Sequence, residues 1–176
     1  MQPRAHFRHC PRCGQAQSTT ASGPLFTCDS CGFRYYFNPT VAVVVFIRRP
    51  DGRALFVRRA KDPGKGLLAP PGGFIDIGET AETAALREIR EEVGLELTDL
   101  EFLCSEPNQY LYAEVTYPVL DLVFTARTPD PDKAQALDDV AGIEWLDPIT
   151  LAPETMAFPS MEAALKFWQR KLSGPS

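Results

Sequence analysis

The sequence predicts a mixed α/β domain with a short cysteine-bearing segment in front of it. Runs of β-branched and aromatic residues, bounded by Gly and Pro, predict several strands. Two segments with helical spacing of apolar residues interrupt the strands, which is typical of the α/β class. With 44% hydrophobic and 23% charged residues, the chain has the composition of a globular protein. We place the cysteine-bearing segment at residues 1–37 and the larger domain at residues 38–176.

Four of the five cysteines form two Cys-x-x-Cys pairs, each followed by glycine. Such turns point two thiolates at one ion, and two turns together complete a tetrahedral zinc site. A segment this short buries too little apolar surface to fold alone, so the metal would supply the folding free energy. Disulfides are the alternative, but a chain in a reducing compartment keeps its thiols. We therefore predict one structural Zn²⁺ with four ligands: Cys10, Cys13, Cys28 and Cys31.

The first two strands of the larger domain are predicted to form a hairpin. They are NPTVAVVVFIRR and RALFVRR, and the Pro-Asp-Gly between them makes the tight turn. Antiparallel pairing puts Arg58 and Arg59 at the open end, beside the loop that leads to Gly72. Because side chains alternate along a strand, at most one of these arginines can face that loop.

The second half of the chain predicts three more strands and a terminal helix. The strands are DLEFLCSEP, VTYPVLDLVFTAR and AGIEWL, and a polar linker precedes the last of them. Ser160 is the predicted N-cap of the helix, whose apolar face carries Met161, Leu165 and Trp168. Asp121 stands alone among apolar strand residues. We expect it to pair with an arginine, or alternatively to face a functional site.

Between the two halves lies an acidic segment with five glutamates and one aspartate against two arginines, from Gly72 to Leu95. On a helix over residues 79–93, three of the glutamates share an arc of ~100°. The core-facing arc holds the apolar residues Leu86, Ile89 and Val93. Gathered carboxylates suit a hard divalent cation, Mg²⁺ or Mn²⁺. The alternative is a solvated helix with Glu–Arg pairs four residues apart.

The spacing of this segment is more specific than its charge. Gly73 is followed after five residues by Glu79, and after seven more by REIREEVGL. This pattern resembles the signature of Nudix hydrolases at every position. The four cysteines in front, the FNP opening of the first strand and the paired arginines at strand ends are similar to the NADH pyrophosphatase branch of that family.

The resemblance implies a fold and a metal site. The fold would be an α/β/α sandwich with a mixed sheet, in which the signature forms a loop–helix–loop. The active-site cation, Mg²⁺ or Mn²⁺, would be held by Glu88, Glu91 and Glu92. The carbonyl of Gly72 is a candidate further ligand.

The resemblance also implies catalytic roles. Hydrolysis of a diphosphate needs its charge neutralised, a water activated and the attack aligned at phosphorus. Arg87 and Glu79 would pair and orient the helix. Glu88 is the first candidate for the general base, with Asp138 or Asp139 in a distant loop as alternatives.

The reaction that the resemblance implies is Mg²⁺-dependent hydrolysis of a diphosphate bond in NADH, ADP-ribose or a related dinucleotide. The NADH-cleaving branch carries Ser-Gln-Pro-Trp-Pro-Phe-Pro after the signature, whereas this chain reads SEPNQYL, so a preference for NADH is not implied. Candidate substrate contacts are Arg58 or Arg59 for the diphosphate and Phe74 or Tyr110 for a base. The alternative is a module that senses a nucleotide or contacts nucleic acid without turnover, although such a module has no need of three metal carboxylates.

Charge is distributed unevenly along the chain. Residues 1–60 carry nine arginines and two aspartates (9 − 2 = +7), and the remainder carries 9 − 21 = −12. A basic front suggests an anionic partner or substrate, but the two halves could equally attract each other or face solvent. No apolar run exceeds seven residues and the N-terminus lacks a signal sequence, which predicts a cytoplasmic protein without a membrane partner. Ribbon-bearing Nudix proteins are commonly dimers, so we expect a homodimer with a small nucleotide substrate; nucleic acid is not the expected partner.

Overall fold

The computed structural model describes residues 3–16 and 23–174. In this part of the chain the predicted strands and both predicted helices are present, which confirms the α/β class. The elements are β1 (Leu25–Thr27), β2 (Arg34–Tyr36), β3 (Thr40–Arg48), β4 (Ala54–Arg59), β5 (Leu68–Ala69), α1 (Ala81–Val93), β6 (Thr98–Tyr112), β7 (Val115–Arg127), β8 (Val140–Leu146) and α2 (Pro159–Leu172). No helix among the described residues is both long and apolar enough to cross a membrane.

The main sheet contains six strands. Five follow the order β5-β4-β3-β7-β6, and β8 pairs with β4 outside this path. The predicted hairpin is confirmed, because β3 and β4 pair antiparallel with Arg48 opposite Ala54. A β-bulge interrupts the ladder of β4 and β8 between Arg58 and Arg59. Bulges redirect side chains and are frequent beside active sites. This one lies at the end of β4, just before the loop that continues through β5 to α1.

Strand β3 is buried on both faces. Residues 42–47 are all buried, and because side chains alternate, each face of the strand must be covered. On one face Phe46 stacks on Trp168 of α2, with ring centroids 4.4 Å apart and planes 14° apart. The predicted apolar face of α2 is confirmed, since Met161, Leu165 and Trp168 are buried. This packing fixes β3, to which the loop before α1 is hydrogen-bonded.

The chain divides into two compact units. One comprises Met1–Thr40 and Gln109–Val119, and the other comprises Val41–Asn108 and Leu120–Ser176. The first unit has its own small core, in which Cys10, Phe26 and Cys28 are buried and flanked by further aromatic rings. The predicted domain boundary between residues 37 and 38 stays a prediction.

Helix α2 begins two residues earlier than predicted. Phe158, not Ser160, is the N-cap residue, with extended backbone angles (φ −136°, ψ 147°), and Pro159 is the first helical residue. Proline suits this position because its missing N–H would have no partner inside the helix. Ser160 is instead buried within the first turn.

The predicted ion pair between Asp121 and an arginine is wrong. Asp121 is only 3% exposed and accepts hydrogen bonds from the Ser160 hydroxyl at 2.6 Å and the Asn108 amide at 2.9 Å. Burial raises the pKa of Asp121, and these two hydrogen bonds oppose the rise. Two neutral donors therefore hold a buried carboxyl group between β6, β7 and α2.

Candidate active site and zinc site

Helix α1 has a well-defined start and end. The Thr80 hydroxyl accepts from the N–H of Thr83, while the Thr83 side chain accepts from the N–H of Thr80, which makes a capping box. Gly94 has φ 69° and its N–H donates to the carbonyl of Arg90, so it ends the helix as predicted. The helix starts two residues later than predicted, because Thr80 caps it.

The loop before α1 lies against β3 through two glycines. The N–H of Val43 donates to the Gly73 carbonyl at 2.8 Å. Gly72 has φ 144°, and a Cβ on it would lie 2.1 Å from the Val43 carbonyl oxygen. A Cβ on Gly73 would lie 2.6 Å from the carboxylate of Glu88. Only residues without a side chain allow the loop to approach the strand and the acidic helix this closely.

Glu92 faces this loop, and its environment penalises its negative charge. The N–H of Gly72 donates to Glu92 Oε2 at 2.9 Å. Burial raises the pKa of Glu92 to about 7; the Gly72 hydrogen bond and the charge of Arg59 lower it, while the charges of Glu88 and Asp139 raise it. A cation bound here would remove the penalty.

Arg87 connects the acidic groups of the signature. Its guanidinium donates to both carboxylate oxygens of Glu79 at 2.8 Å, to Glu88 at 2.8 Å and to Glu91 at 3.1 Å. A further bond reaches the Phe74 carbonyl at 3.0 Å. The hydrogen bonds from Arg87 are the main reason that the pKa of Glu79 falls to about 2. The predicted pair of Arg87 and Glu79 is thus present, and it fastens the loop to the helix.

The turn before β8 carries the two predicted distal bases, Asp138 and Asp139. The N–H of Ala60 donates to the Asp139 carbonyl at 3.1 Å, and the Asp139 carboxylate pairs with Lys61. Asp139 has φ 54°, an uncommon conformation for a residue with a side chain. Both aspartates are exposed on this turn, but the charge of Asp139 is among the main influences on the pKa of Glu92 and that of Asp138 is not. Asp139 is therefore the better placed of the two.

The two arginines that end β4 differ in their surroundings. Arg58 pairs with Glu144 at 2.5 Å and donates to the Gly66 carbonyl at 2.9 Å. Arg59 is half-buried and acts electrostatically on Glu92. Arg59 is thus the arginine on the side of the acidic site, and its contact with substrate stays a prediction.

The two aromatic candidates for base stacking lie in different units. Phe74 follows Gly73 directly and is 40% exposed, so part of its ring is accessible. Tyr110 lies near the end of β6 and belongs to the N-terminal unit. Both roles stay predictions.

The four paired cysteines converge in the N-terminal unit. Their Sγ atoms all lie within 4.8 Å of one another, and the Cys10–Cys31 and Cys13–Cys28 distances are 3.7 Å. Four sulfurs around a zinc ion at about 2.3 Å stand about 3.8 Å apart along each edge of the tetrahedron. The cysteines are free of disulfides, and Cys104 is half-buried elsewhere, in β6. The cluster has the composition and the spacing of a structural zinc site.

The glutamates of α1 offer the right donors but are not gathered around a point. Among the described residues, only the four cysteines bring three or more ligand atoms together. Glu88 and Glu91 accept from Arg87, and Glu92 accepts from Gly72. All three are carboxylates on one face of the helix, the oxygen donors that Mg²⁺ and Mn²⁺ prefer. They fit such an ion if their side chains turn from these donors toward it.

The NUDIX domain family model matches residues 38–167. The chain belongs to this family. The predicted family and fold are therefore confirmed, with α1 as the helix of the Nudix signature. The match begins within one residue of the predicted start of the larger domain.

Curated relatives have related names. An ADP-ribose pyrophosphatase of Methanocaldococcus jannaschii is 48% identical over 36% of this chain and 37% of its own length. The NAD-capped RNA hydrolase NudC of Pseudomonas aeruginosa is 26% identical over 84% of this chain and 50% of its own length. The human mitochondrial NAD(P)H pyrophosphatase NUDT13 is 38% identical over 58% of this chain and 29% of its own. The chain thus spans at most half the length of these three relatives.

Solved structures share the Nudix fold. A NUDIX hydrolase from Nitrosomonas europaea superposes with a TM-score of 0.68 at 21% identity, covering 96% of this chain and 95% of the other. A MutT NUDIX hydrolase from Burkholderia pseudomallei gives 0.62 at 26% identity, over 73% and 97% of the two chains. The high mutual coverage of the first pair extends the likeness of fold to nearly the whole chain.

Sequence reasoning missed three residues that touch the site or its neighbours. Lys61 pairs with Asp139, and the Phe158 ring lies under the Arg59 guanidinium. Asn108 donates to the buried carboxyl of Asp121. Neither the Lys61 nor the Phe158 contact has a local sequence signal, because each joins segments far apart in the chain.

The pairing of Glu79 with Arg87 predicts a stability difference that depends on pH. The folded-state pKa of Glu79 is about 2, below its usual 4.5, so the stabilisation is present above pH 4.5 and is lost as pH falls through 2. We expect Glu79→Gln to lower the urea midpoint at pH 7, with a gap to wild type that narrows between pH 4.5 and 3. The matched control is Glu96→Gln, which removes an exposed pair with Arg90 and should change the midpoint little. A gap independent of pH would contradict the prediction.

Proposed function

We propose that this protein hydrolyses the diphosphate bond of a nucleoside diphosphate derivative in a Mg²⁺-dependent reaction. The observation that carries the proposal is the face of α1 that holds Glu88, Glu91 and Glu92, of which Glu88 and Glu92 lie against the loop of Gly72 and Gly73. Burial and neighbouring carboxylates penalise the charge of Glu92, which a divalent cation would offset. Membership of the Nudix family supports the same reading.

The residues of the site have two proposed roles, metal binding and orientation of the metal ligands. Glu88, Glu91 and Glu92 would hold Mg²⁺ or Mn²⁺, with the Gly72 carbonyl as a candidate further ligand. When bound, the ion neutralises diphosphate charge and lowers the pKa of a coordinated water. Arg87 keeps the loop and the helix together through Glu79, so the carboxylates keep their orientation.

The general base is Glu88 or Asp139. Glu88 is the first candidate, because burial raises its pKa toward the range in which a carboxylate accepts a proton. Its present hydrogen bond to Arg87 must be released first. Asp139 is the alternative, since its carboxylate lies close enough to act on Glu92 and has an exposed lysine, Lys61, as its partner.

The substrate class follows from the chemistry of the site and from the relatives. Those relatives are named for action on ADP-ribose, NAD(P)H and NAD-capped RNA, all of which contain an adenosine diphosphate unit. Phe74 is accessible for stacking on a base. We propose ADP-ribose, NADH or a related dinucleotide as the substrate.

The test is a substrate panel with Mg²⁺. Wild-type protein is incubated with ADP-ribose, NADH, NAD⁺ and diadenosine diphosphate, and release of AMP is measured by chromatography. We expect AMP from at least one compound, and none when EDTA is present. Binding of a panel member without any AMP release would instead favour a nucleotide sensor.

We also propose that Cys10, Cys13, Cys28 and Cys31 bind one Zn²⁺, which stabilises the N-terminal unit. Cys28→Ser should lower the zinc content of purified protein from about one ion per chain to near zero, because three thiolates hold zinc less tightly than four. Elemental analysis gives the measurement. The control is Cys104→Ser, which lies outside the cluster and should keep its zinc. Equal zinc in all three proteins would refute the assignment.

A homodimer remains part of the proposal. Strand β6 is an edge strand of the main sheet and is fifteen residues long. The backbone N–H and C=O groups along its outer edge could pair with a second copy of the chain. Light scattering on a size-exclusion column tests the mass, which should be twice 19.5 kDa. The cytoplasmic location stays a prediction.

A further inference from the structure

Arg59 is held in place by two contacts that leave its outer edge open. The guanidinium lies over the ring of Phe158, with Cζ 5.0 Å from the ring centroid. Its Nε donates to the Pro63 carbonyl at 2.8 Å. Neither Nη group donates to another residue in the described part of the chain. In Arg58, by contrast, Nε and Nη1 are engaged by Glu144 and by the Gly66 carbonyl.

An arginine arranged in this way is suited to a phosphate group. A long flexible side chain loses rotamer freedom when it binds an anion, and prior contacts reduce that loss. The paired Nη groups of arginine match two oxygens of a phosphate. The ring beneath the guanidinium adds a cation–π attraction without using any N–H donor.

Phe158 is itself fixed by the start of α2. It is the N-cap residue, it is 8% exposed, and Ser160 two positions later donates to the buried carboxyl of Asp121. Asn108 supplies the second donor to Asp121. A carboxyl group buried in an apolar strand is costly unless its oxygens are hydrogen-bonded. Here the bond from Ser160 satisfies the carboxyl group and also fastens the first turn of α2 to the sheet.

We propose that Phe158 is a positioning residue, fixed by Ser160 and Asp121, that holds the Arg59 guanidinium in place to bind the diphosphate group of the substrate. This inference rests on the proposed function. It connects β7 to the substrate-binding arginine by way of the first turn of α2, through the contacts of Asp121 with Ser160 and of Phe158 with Arg59. It also assigns a role to the buried carboxyl of Asp121.

The test measures both turnover and binding of an anion. Steady-state constants are determined for the substrate found in the panel. Dissociation constants for inorganic pyrophosphate are determined by calorimetry on zinc-loaded protein in buffer without Mg²⁺ or Mn²⁺, where no turnover that depends on these ions contributes. Arg59→Ala should raise KM and the pyrophosphate Kd by about 10- to 100-fold with little change in kcat, because it removes charge-assisted hydrogen bonds. Arg58→Ala should change both by less than about twofold.

Phe158 is tested by two substitutions. Phe158→Leu should raise KM and the pyrophosphate Kd by about 3- to 20-fold. A trifluorophenylalanine at position 158 keeps the shape of the ring but weakens its attraction for a cation, so it should shift both constants in the same direction even if the leucine variant folds poorly. The control is Phe167→Leu on α2. The Phe167 ring makes cation–π contacts with Arg170 and Lys171 and none with Arg59 among the described residues. This substitution should leave both constants unchanged.

A double substitution distinguishes positioning from a general structural effect. If Phe158 acts through Arg59, the variant with Arg59→Ala and Phe158→Leu should match Arg59→Ala alone. Ser160→Ala should cause a smaller rise in KM, by loosening the first turn of α2. Additive effects, or a pyrophosphate Kd unaffected by trifluorophenylalanine, would overturn the inference. Arg59-dependent pyrophosphate binding without hydrolysis of any panel member would uphold the inference and reject the proposed function.

Discussion

Glu92→Gln is expected to lower kcat by at least about 100-fold while the protein stays folded. Loss of groups that merely orient a metal ligand costs 10- to 100-fold, and the ligand itself should cost more. Glutamine keeps the shape and can still accept the Gly72 N–H, but it lacks the charge that holds Mg²⁺. Turnover is measured at saturating substrate over a range of Mg²⁺ concentrations.

The stability of this variant distinguishes a functional role from a structural one. Burial raises the folded-state pKa of Glu92 to about 7, above its usual 4.5, so wild-type stability without metal falls as pH rises through this window. Glutamine has no charge to bury, so the Tm of zinc-loaded Glu92→Gln protein at pH 8 without Mg²⁺ or Mn²⁺ should equal or exceed that of wild type. Glu91→Gln should also reduce turnover, whereas Glu96→Gln, beyond the helix and paired with Arg90, should not. Near-wild-type rates at low Mg²⁺ for both Glu92→Gln and Glu91→Gln would mean that this face of α1 has another purpose.

Gly72→Ala is expected to have the largest effect on folding, at least about 3 kcal/mol. The new Cβ would meet the Val43 carbonyl oxygen at 2.1 Å and the Val44 Cα at 2.8 Å, both backbone atoms of the buried central strand. The φ of 144° adds strain for any residue with a side chain. Because Gly72 also donates to Glu92, the variant should lose turnover as well. Urea denaturation measures the loss of stability.

Two other glycines serve as matched comparisons. Gly78 has φ 92° with no atom within 4 Å of a new Cβ, so Gly78→Ala reports backbone strain alone and should cost about 1–2 kcal/mol. At Gly73 the three atoms nearest to the new Cβ all belong to the movable carboxylate of Glu88, so Gly73→Ala should reduce kcat much more than stability. Equal losses of stability at Gly72 and Gly78 would show that the contact with β3 is unimportant.

The local features of this protein were predictable from its sequence. Side-chain spacing placed Glu88, Glu91 and Glu92 on one face, and Gly94 ended the helix as its conformation requires. The Pro-Asp-Gly turn fixed the register of β3 and β4. The cysteine pairs converged because each Cys-x-x-Cys turn is a local structure. In each case the interaction joins residues that are close in sequence or that repeat a known spacing.

The features that escaped prediction depend on contacts between distant segments. Strand alternation predicted different surroundings for Arg58 and Arg59, but the partners of each come from distant segments: Arg58 pairs with Glu144 of β8, and Arg59 lies over the ring of Phe158. Ser160 has the chemistry of an N-cap, yet proline at the first helical position moved the cap to Phe158 and freed the Ser160 hydroxyl for Asp121. Both outcomes were decided by tertiary packing.

The acidic helix tolerates its charge unevenly. Arg87 neutralises Glu79 and contacts Glu88 and Glu91, whereas Glu92 accepts a hydrogen bond from the backbone N–H of Gly72. Because Arg87 does not contact Glu92, the charge of this one carboxylate favours the binding of a cation. The other glutamates are stabilised by Arg87, so the helix does not depend on the cation for its stability. This asymmetry is the physical basis of the divalent-metal site proposed on α1.

Mn²⁺ binding followed by electron paramagnetic resonance tests that claim most directly, because it needs no substrate and no turnover. Wild-type protein with its cysteine cluster loaded with Zn²⁺ is titrated with Mn²⁺, and free Mn²⁺ is read from the signal. Wild type should bind Mn²⁺ in competition with Mg²⁺, and Glu92→Gln should bind it at least about tenfold more weakly, with Glu96→Gln unchanged. Identical Mn²⁺ binding by wild type and Glu92→Gln would contradict the account.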